Sequence, residues 1–100
     1  MNCVIDNSAT AMVCHFNGEL TFEDDQEFRG LLQTVKDTGN KAVTFDLQRL
    51  EYIDSAGLGM LLCASSDLET MGKSFSISQP NGQVLALLEL SAVKNLIKSQ

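Results

Sequence analysis

A chain of 100 residues with 44% hydrophobic content holds one domain built on one core. Its net charge of −6, with no basic run, argues against nucleic acid as a partner, because that affinity rests on clustered Lys and Arg. No apolar run approaches the ~20 residues of a membrane span and no basic stretch leads into an apolar one, so a cytoplasmic protein without direct membrane insertion is expected.

In chain order, Cys3–Ile5 and Ala11–Asn17 read as two strands of a hairpin around the turn-forming Asp6-Asn7-Ser8, with Gly18 ending the second. Thr21-Phe22-Glu23-Asp24 reads as a helix start, a hydroxyl cap followed by acidic residues at the positive helix end. Phe28, Leu31, Leu32 and Val35 then recur at i, i+3, i+4, i+7, and Gly39-Asn40 closes that helix. Ala42–Leu47 is a short apolar run without helical spacing, a buried strand, followed by a link over Gln48–Tyr52. A second helix starts near Ser55, carries Leu58, Leu61, Leu62, Ser65, Leu68 and Met71 at helical spacing, and stops at Gly72. Lys73–Ser78 alternates Phe75 and Ile77 inward as a strand, and Pro80-Asn81-Gly82 turns into a third helix over Gln83–Leu90. Ser91–Gln100 fits either a short helix or an edge strand through Val93, Leu96 and Ile97.

The resulting order, β-β-α-β-α-β-α, is that of a single α/β domain spanning residues 1–100, with a mixed, mostly parallel sheet and helices packed on it. In such sheets, sites tend to lie beyond the carboxyl ends of the strands, which directs attention to Leu50–Gly59. There, Asp54-Ser55-Ala56-Gly57-Leu58-Gly59 is a helix N-terminus in which either Asp54 or Ser55 can be the cap. Gly57 and Gly59 each weaken a helix by roughly 0.8–1 kcal/mol against Ala. Their presence points to a close approach of the backbone by the protein's own sheet or by a partner.

The stretch Tyr52-Ile53-Asp54-Ser55-Ala56-Gly57-Leu58-Gly59-Met60-Leu61-Leu62 resembles the signature of the STAS family, of the anti-sigma-factor antagonist type. The Val43–Leu47 strand and the Gly18-Glu19-Leu20 turn sit where that family has theirs, so the resemblance covers nearly the whole chain. It implies a phosphorylation site at Ser55, modified by a partner serine kinase that is often itself the anti-sigma factor, and reset by a serine phosphatase. Only the unphosphorylated form would bind the anti-sigma factor. Partner contacts are expected from Asp54, Ser55, Ala56, Gly57, Leu58, Met60 and Thr21. A phosphate on Ser55 adds about −1.5 to −2 charges at a helix end that favours anions, so the fold need not open. Two unit charges about 6 Å apart interact by under ~1 kcal/mol in water and about 3 at an effective dielectric of 20. One phosphate can therefore move partner affinity by about ten- to a hundredfold.

Catalytic readings find little support. Asp46 and Asp54 are read as separate carboxylates serving local backbone donors rather than as an acid/base pair. His15, the only histidine, is remote in sequence from Ser55; no Gly-x-Ser-x-Gly elbow exists; Leu62 stands where a dinucleotide fingerprint needs its third Gly. The domain is thus expected not to be an enzyme. Cys3, Cys14 and Cys63 lack metal-ligand spacing and read as reduced, buried hydrophobes, so no metal and no cofactor is expected.

Two departures from the family pattern matter. Thr21 stands where many members have an acidic residue. The chain also ends at Gln100, where members usually continue into a further strand and helix; either one sheet face or edge is left more exposed, which can serve a homodimer or a partner site, or Val93–Ile97 shuts the core with a short helix. The functional alternative is a constitutive STAS accessory subunit of an ABC-type transport ATPase, with Ser55 serving only as a helix cap.

Overall fold

Alternating apolar residues along Met12, Cys14 and Phe16 give one strand a face to bury, and the helices pack on that face of the sheet. The computed structural model describes residues 1–8 and 10–98. It contains β1 (Asn2–Asn7), β2 (Ala11–Leu20), α1 (Asp25–Asp37), β3 (Ala42–Ile53), α2 (Ser55–Thr70), β4 (Ser74–Ser78), α3 (Gly82–Glu89) and β5 (Ile97–Lys98). The strands lie in the order β1-β2-β3-β4-β5; β1 runs antiparallel to β2 and every other pair is parallel. Right-handed crossovers in a sequentially ordered sheet place all the helices on one face. Phe28, Leu32 and Val35 of α1, Leu61, Ala64 and Leu68 of α2, and Val84 and Leu88 of α3 join the buried strand residues in a single core. Four phenylalanines, Phe16, Phe28, Phe45 and Phe75, form its centre with ring centroids 4.8 to 6.2 Å apart. No described helix is long and apolar enough to cross a membrane.

The expected α/β order holds, and several boundaries move: β1 runs on to Asn7, so Asp6 and Asn7, expected in the turn, pair with Val13 and Met12 instead. Gly18 does not end β2. It sits inside the strand at φ +88°, beside an irregularity in the ladder, and the strand runs on to Leu20. The first helix begins as a 3-10 turn over Phe22–Asp24, because the Asp24 carboxylate reaches back to accept the Thr21 N–H at 2.8 Å and tightens the turn. At the far end, Ser91–Lys98 is neither helix nor strand alone. Lys94–Leu96 forms a 3-10 turn that buries Val93, and Ile97–Lys98 then pairs with Ile77 and Ser78. Ser99 and Gln100, included in that expectation, lie outside the described residues.

The largest difference is Gln48–Tyr52, which is strand rather than link. β3 runs from Ala42 to Ile53, and beyond Asp46 its buried residues are Leu47, Leu50 and Ile53, spaced by three instead of two. The register explains this spacing. Between the pairs His15↔Asp46 and Asn17↔Arg49, and again between Gly18↔Leu50 and Glu19↔Tyr52, β3 advances one residue more than β2. Each such bulge inserts an extra outward residue and breaks the period-two pattern by which a strand is recognised.

Of the three cysteines, only Cys14 is the fully buried hydrophobe expected; Cys3 is half-buried and Cys63 is exposed on α2. A hydrogen bond with Cys3, together with burial, pushes the Cys14 thiol far above its ordinary range.

Candidate functional site

The candidate site is built where β3 outlasts its neighbour. The β3–β4 ladder stops at Asp46↔Ser78, so the last residues of β3 need other partners on that side. Gln83, near the start of α3, supplies them: its Oε1 accepts the Ile53 N–H at 3.1 Å and its Nε2 donates to the Ile53 carbonyl at 2.9 Å. Asn81 adds a bond from Nδ2 to the Gln48 carbonyl at 3.0 Å. One side-chain amide thus stands in for a missing strand and holds the chain in place one residue before Asp54.

Asp54 is the N-cap of α2. Its backbone is extended, Oδ1 accepts the Gly57 N–H at 2.7 Å, and Oδ2 accepts the Phe22 N–H at 3.2 Å. The same carboxylate therefore caps the helix and ties it to the 3-10 turn that precedes α1. Its own N–H donates to the Leu20 carbonyl at 3.4 Å. This settles which residue caps the helix, and it corrects the idea of Ser55 as a cap. Ser55 is the first residue of α2, it is exposed, and its hydroxyl bonds no described residue.

The two glycines part company. A Cβ on Gly57 would lie 3.0 Å from the Leu20 carbonyl carbon and closer still to its oxygen, so the close approach comes from the protein's own β2. A Cβ on Gly59 would meet nothing within 4 Å. Gly59 instead lines a groove of about 530 Å³ between α1 and α2, with Ala56, Met60 and Cys63 on one wall and Phe28 and Leu32 on the other. Lys36 and Asp67 bridge the two helices across it at 2.8 Å.

Of the residues expected to meet a partner, Ser55 and Ala56 are exposed, while Asp54, Leu58 and Thr21 are half-buried. Gly57 and Met60 are buried. Gly57 is buried and serves to seat α2 against Leu20, and Met60 lines the groove with only 8% exposure. The structure also brings forward residues that sequence reasoning passed over. Phe22 is 67% exposed and is bonded through its N–H to the cap of α2; Tyr52, two residues before that cap, is 42% exposed. Phe22 lies six residues before Phe28, off the apolar stripe of α1, and that mismatch is the signal that it points outward. Gln83 had no comparable signal.

The two aspartates are not brought together as a pair. Asp46 accepts from His15 Nδ1 at 2.7 Å and from the Gln48 N–H at 3.0 Å, whereas Asp54 serves Gly57 and Phe22. Each serves one local backbone donor, Gln48 or Gly57, as the sequence suggested, and adds a distant one, His15 or Phe22. His15 thus belongs to the sheet and to Asp46, and among the described residues no base is bonded to the Ser55 hydroxyl.

The fold is a known one. The fold is similar to that of an anti-sigma factor antagonist from Mycobacterium paratuberculosis, at 16% identity over 99% of this chain and 86% of that chain, with a TM-score of 0.85. It is similar to the Bacillus cell fate determinant SpoIIAA in both of its solved states. The unphosphorylated form matches at 17% identity over 99% of this chain and 88% of that chain with a TM-score of 0.83. The phosphorylated form matches at 17% over 99% and 91% with a TM-score of 0.78. A sulfate transporter family protein from Wolinella succinogenes matches at 17% identity over 90% of this chain and 77% of that chain, with a TM-score of 0.72. The model of the family described as "Mlab, STAS domain" matches residues 3–98. That span takes in every element that builds the site, and the chain belongs to the STAS domain family.

Proposed function

We propose that this domain is a cytoplasmic protein-binding switch of the anti-sigma-factor-antagonist kind, acting by binding rather than by catalysis and set by phosphorylation of Ser55. The observation that carries the reading is the division of labour at the start of α2. Asp54 caps the helix, which leaves an exposed Ser55 hydroxyl with no structural duty. In the unmodified state, Ser55 and Ala56, flanked by Phe22, Tyr52 and the α1–α2 groove, form the face that an anti-sigma factor with serine-kinase activity grips. Exposed aromatics are the side chains that most often anchor such interfaces. Modification places about two negative charges in the middle of that face beside Asp54, and a phosphatase restores it. The likeness to SpoIIAA, solved with and without phosphate, supports the reading.

The likeness to a sulfate transporter family protein favours a second reading, a constitutive accessory subunit of a transport ATPase. That reading can no longer use Ser55 as the cap, and it would place the same exposed face against the ATPase.

The deciding experiment is intact-mass analysis with phosphosite mapping on the protein isolated from its own cells, in growth and in stress, beside a Ser55→Ala control. The expected result is a phosphate on Ser55 whose occupancy changes with condition. Capture of the anti-sigma partner by wild type and Ser55→Ala, with loss in Ser55→Asp, is the companion result. An unmodified protein in both conditions, held by a stable ATPase, refutes the switch.

A further inference from the structure

The helix-free face of the sheet carries a second concentration of chemistry, unconnected with Ser55. Val4, His15 and Asp46 stand side by side there on β1, β2 and β3, since Val4 pairs with His15 and His15 with Asp46. Directly after Asp46 comes the first bulge of β3, which turns the consecutive residues Gln48 and Arg49 both outward. Asp46 stabilises the bulge by accepting the Gln48 N–H at 3.0 Å through one oxygen while holding His15 Nδ1 at 2.7 Å through the other. The outcome is an open recess of about 570 Å³ lined by the amides of Asn2, Asn17 and Gln48, by His15 and Arg49, by the Asp46 carboxylate whose two oxygens already serve His15 and Gln48, and on its apolar side by Phe16 and by Val4, 68% exposed. A volume of this size is that of a small-molecule site.

Three features give the recess a preference. Arg49 is one of two arginines in a chain of net charge −6; Arg29 is paired with Asp25, and Arg49 makes no ion pair among the described residues. A planar, unpaired guanidinium is the side chain best shaped to grip a carboxylate or phosphate. A carboxylate can only accept, so His15 Nδ1 donates to Asp46, and in a neutral imidazole Nε2 is then the acceptor left for a hydroxyl. The three amides supply both donors and acceptors around them. Bulges often re-aim side chains beside functional sites, and here the bulge brings Gln48 and Arg49 to the same recess as His15.

We propose that this recess binds a small hydroxylated organic anion of the sugar-phosphate class, with the anionic group on the Arg49 guanidinium and a hydroxyl donating to His15 Nε2.

The test titrates the isotopically labelled whole chain with ribose 5-phosphate and follows its amide and imidazole resonances, with ribose and inorganic phosphate as partial probes. Saturable shifts confined to Asn17, Gln48, Arg49 and the His15 ring are expected, with either partial probe at least about tenfold weaker than the whole. Arg49→Gln, at an exposed position without an ion-pair partner, keeps the wild-type spectrum elsewhere and weakens binding by about tenfold or more. Arg29→Gln leaves binding unchanged. His15→Gln is a secondary probe, and Arg49→Gln keeps the test decisive if that variant unfolds. Absence of saturable shifts at the recess, equal binding by Arg49→Gln, or inorganic phosphate binding as tightly as ribose 5-phosphate overturns the proposal.

Discussion

Replacing Gly57 by Ala separates the packing account of this site from helix propensity. In an exposed helix interior the change gains about 1 kcal/mol. At Gly57 the new Cβ lies 3.0 Å from the Leu20 carbonyl carbon and 3.3 Å from its Cγ, with the carbonyl oxygen nearer still. Carbon atoms pack best at about 3.5–4.0 Å and the carbonyl oxygen is the nearest atom of all, so α2 or the end of β2 must retreat by roughly 1 Å. The opposing atoms are mainly backbone and cannot swing aside. Overpacking of this kind costs about 1–3 kcal/mol. The retreat also pulls the Leu20 carbonyl from the Asp54 N–H, already 3.4 Å away, at a further cost of about 1 kcal/mol. The net expectation is a loss of about 1–3 kcal/mol. Gly59→Ala, facing open space, should gain up to about 1 kcal/mol. With a urea m-value of about 1–3 kcal/mol/M, the two midpoints move in opposite directions, Gly57→Ala by roughly 0.3–3 M. Equal midpoints for the two variants, or a stabilised Gly57→Ala, would refute the reasoning.

Two further variants probe the supports of the site. Asp54→Ala removes acceptors for the Gly57 and Phe22 N–H groups and is expected to cost about 1–2 kcal/mol, while Ser55→Ala stays within about 0.5, as read by urea denaturation of both. A larger loss from Ser55→Ala would return the cap to the serine. Gln83→Ala strips the partners from both backbone groups of Ile53 and is expected to cost about 1–3 kcal/mol and speed hydrogen exchange at the Ile53 amide. Unchanged exchange there would mean that the clamp does not hold the end of β3.

The one-residue sequence code determined much of this molecule. Helical spacing at Phe28, Leu32 and Val35, alternation at Met12, Cys14 and Phe16, and the Gly-rich helix start after Asp54 are local patterns, and local patterns are legible because burial demands a fixed period. The element order and the place of the candidate loop follow from them. Tertiary structure decided the rest, wherever one group had to choose between partners distant in the chain. Gln48–Tyr52 became strand because β2 pairs with it through two bulges, which turn a period of two into three. Asp54 took the cap through one oxygen, and its second oxygen serves Phe22, 32 residues earlier, a tie that no local rule anticipates. Gly57 proved to be the mark of a close packing with Leu20 and Gly59 did not, although the two look alike in sequence. Gln83, a polar residue in the first turn of a short helix, has no pattern of its own; it became a positioning residue only because β4 ends before β3 does. Periodicity records which side of an element is buried, and only the assembled chain records which backbone groups are left for a side chain to satisfy.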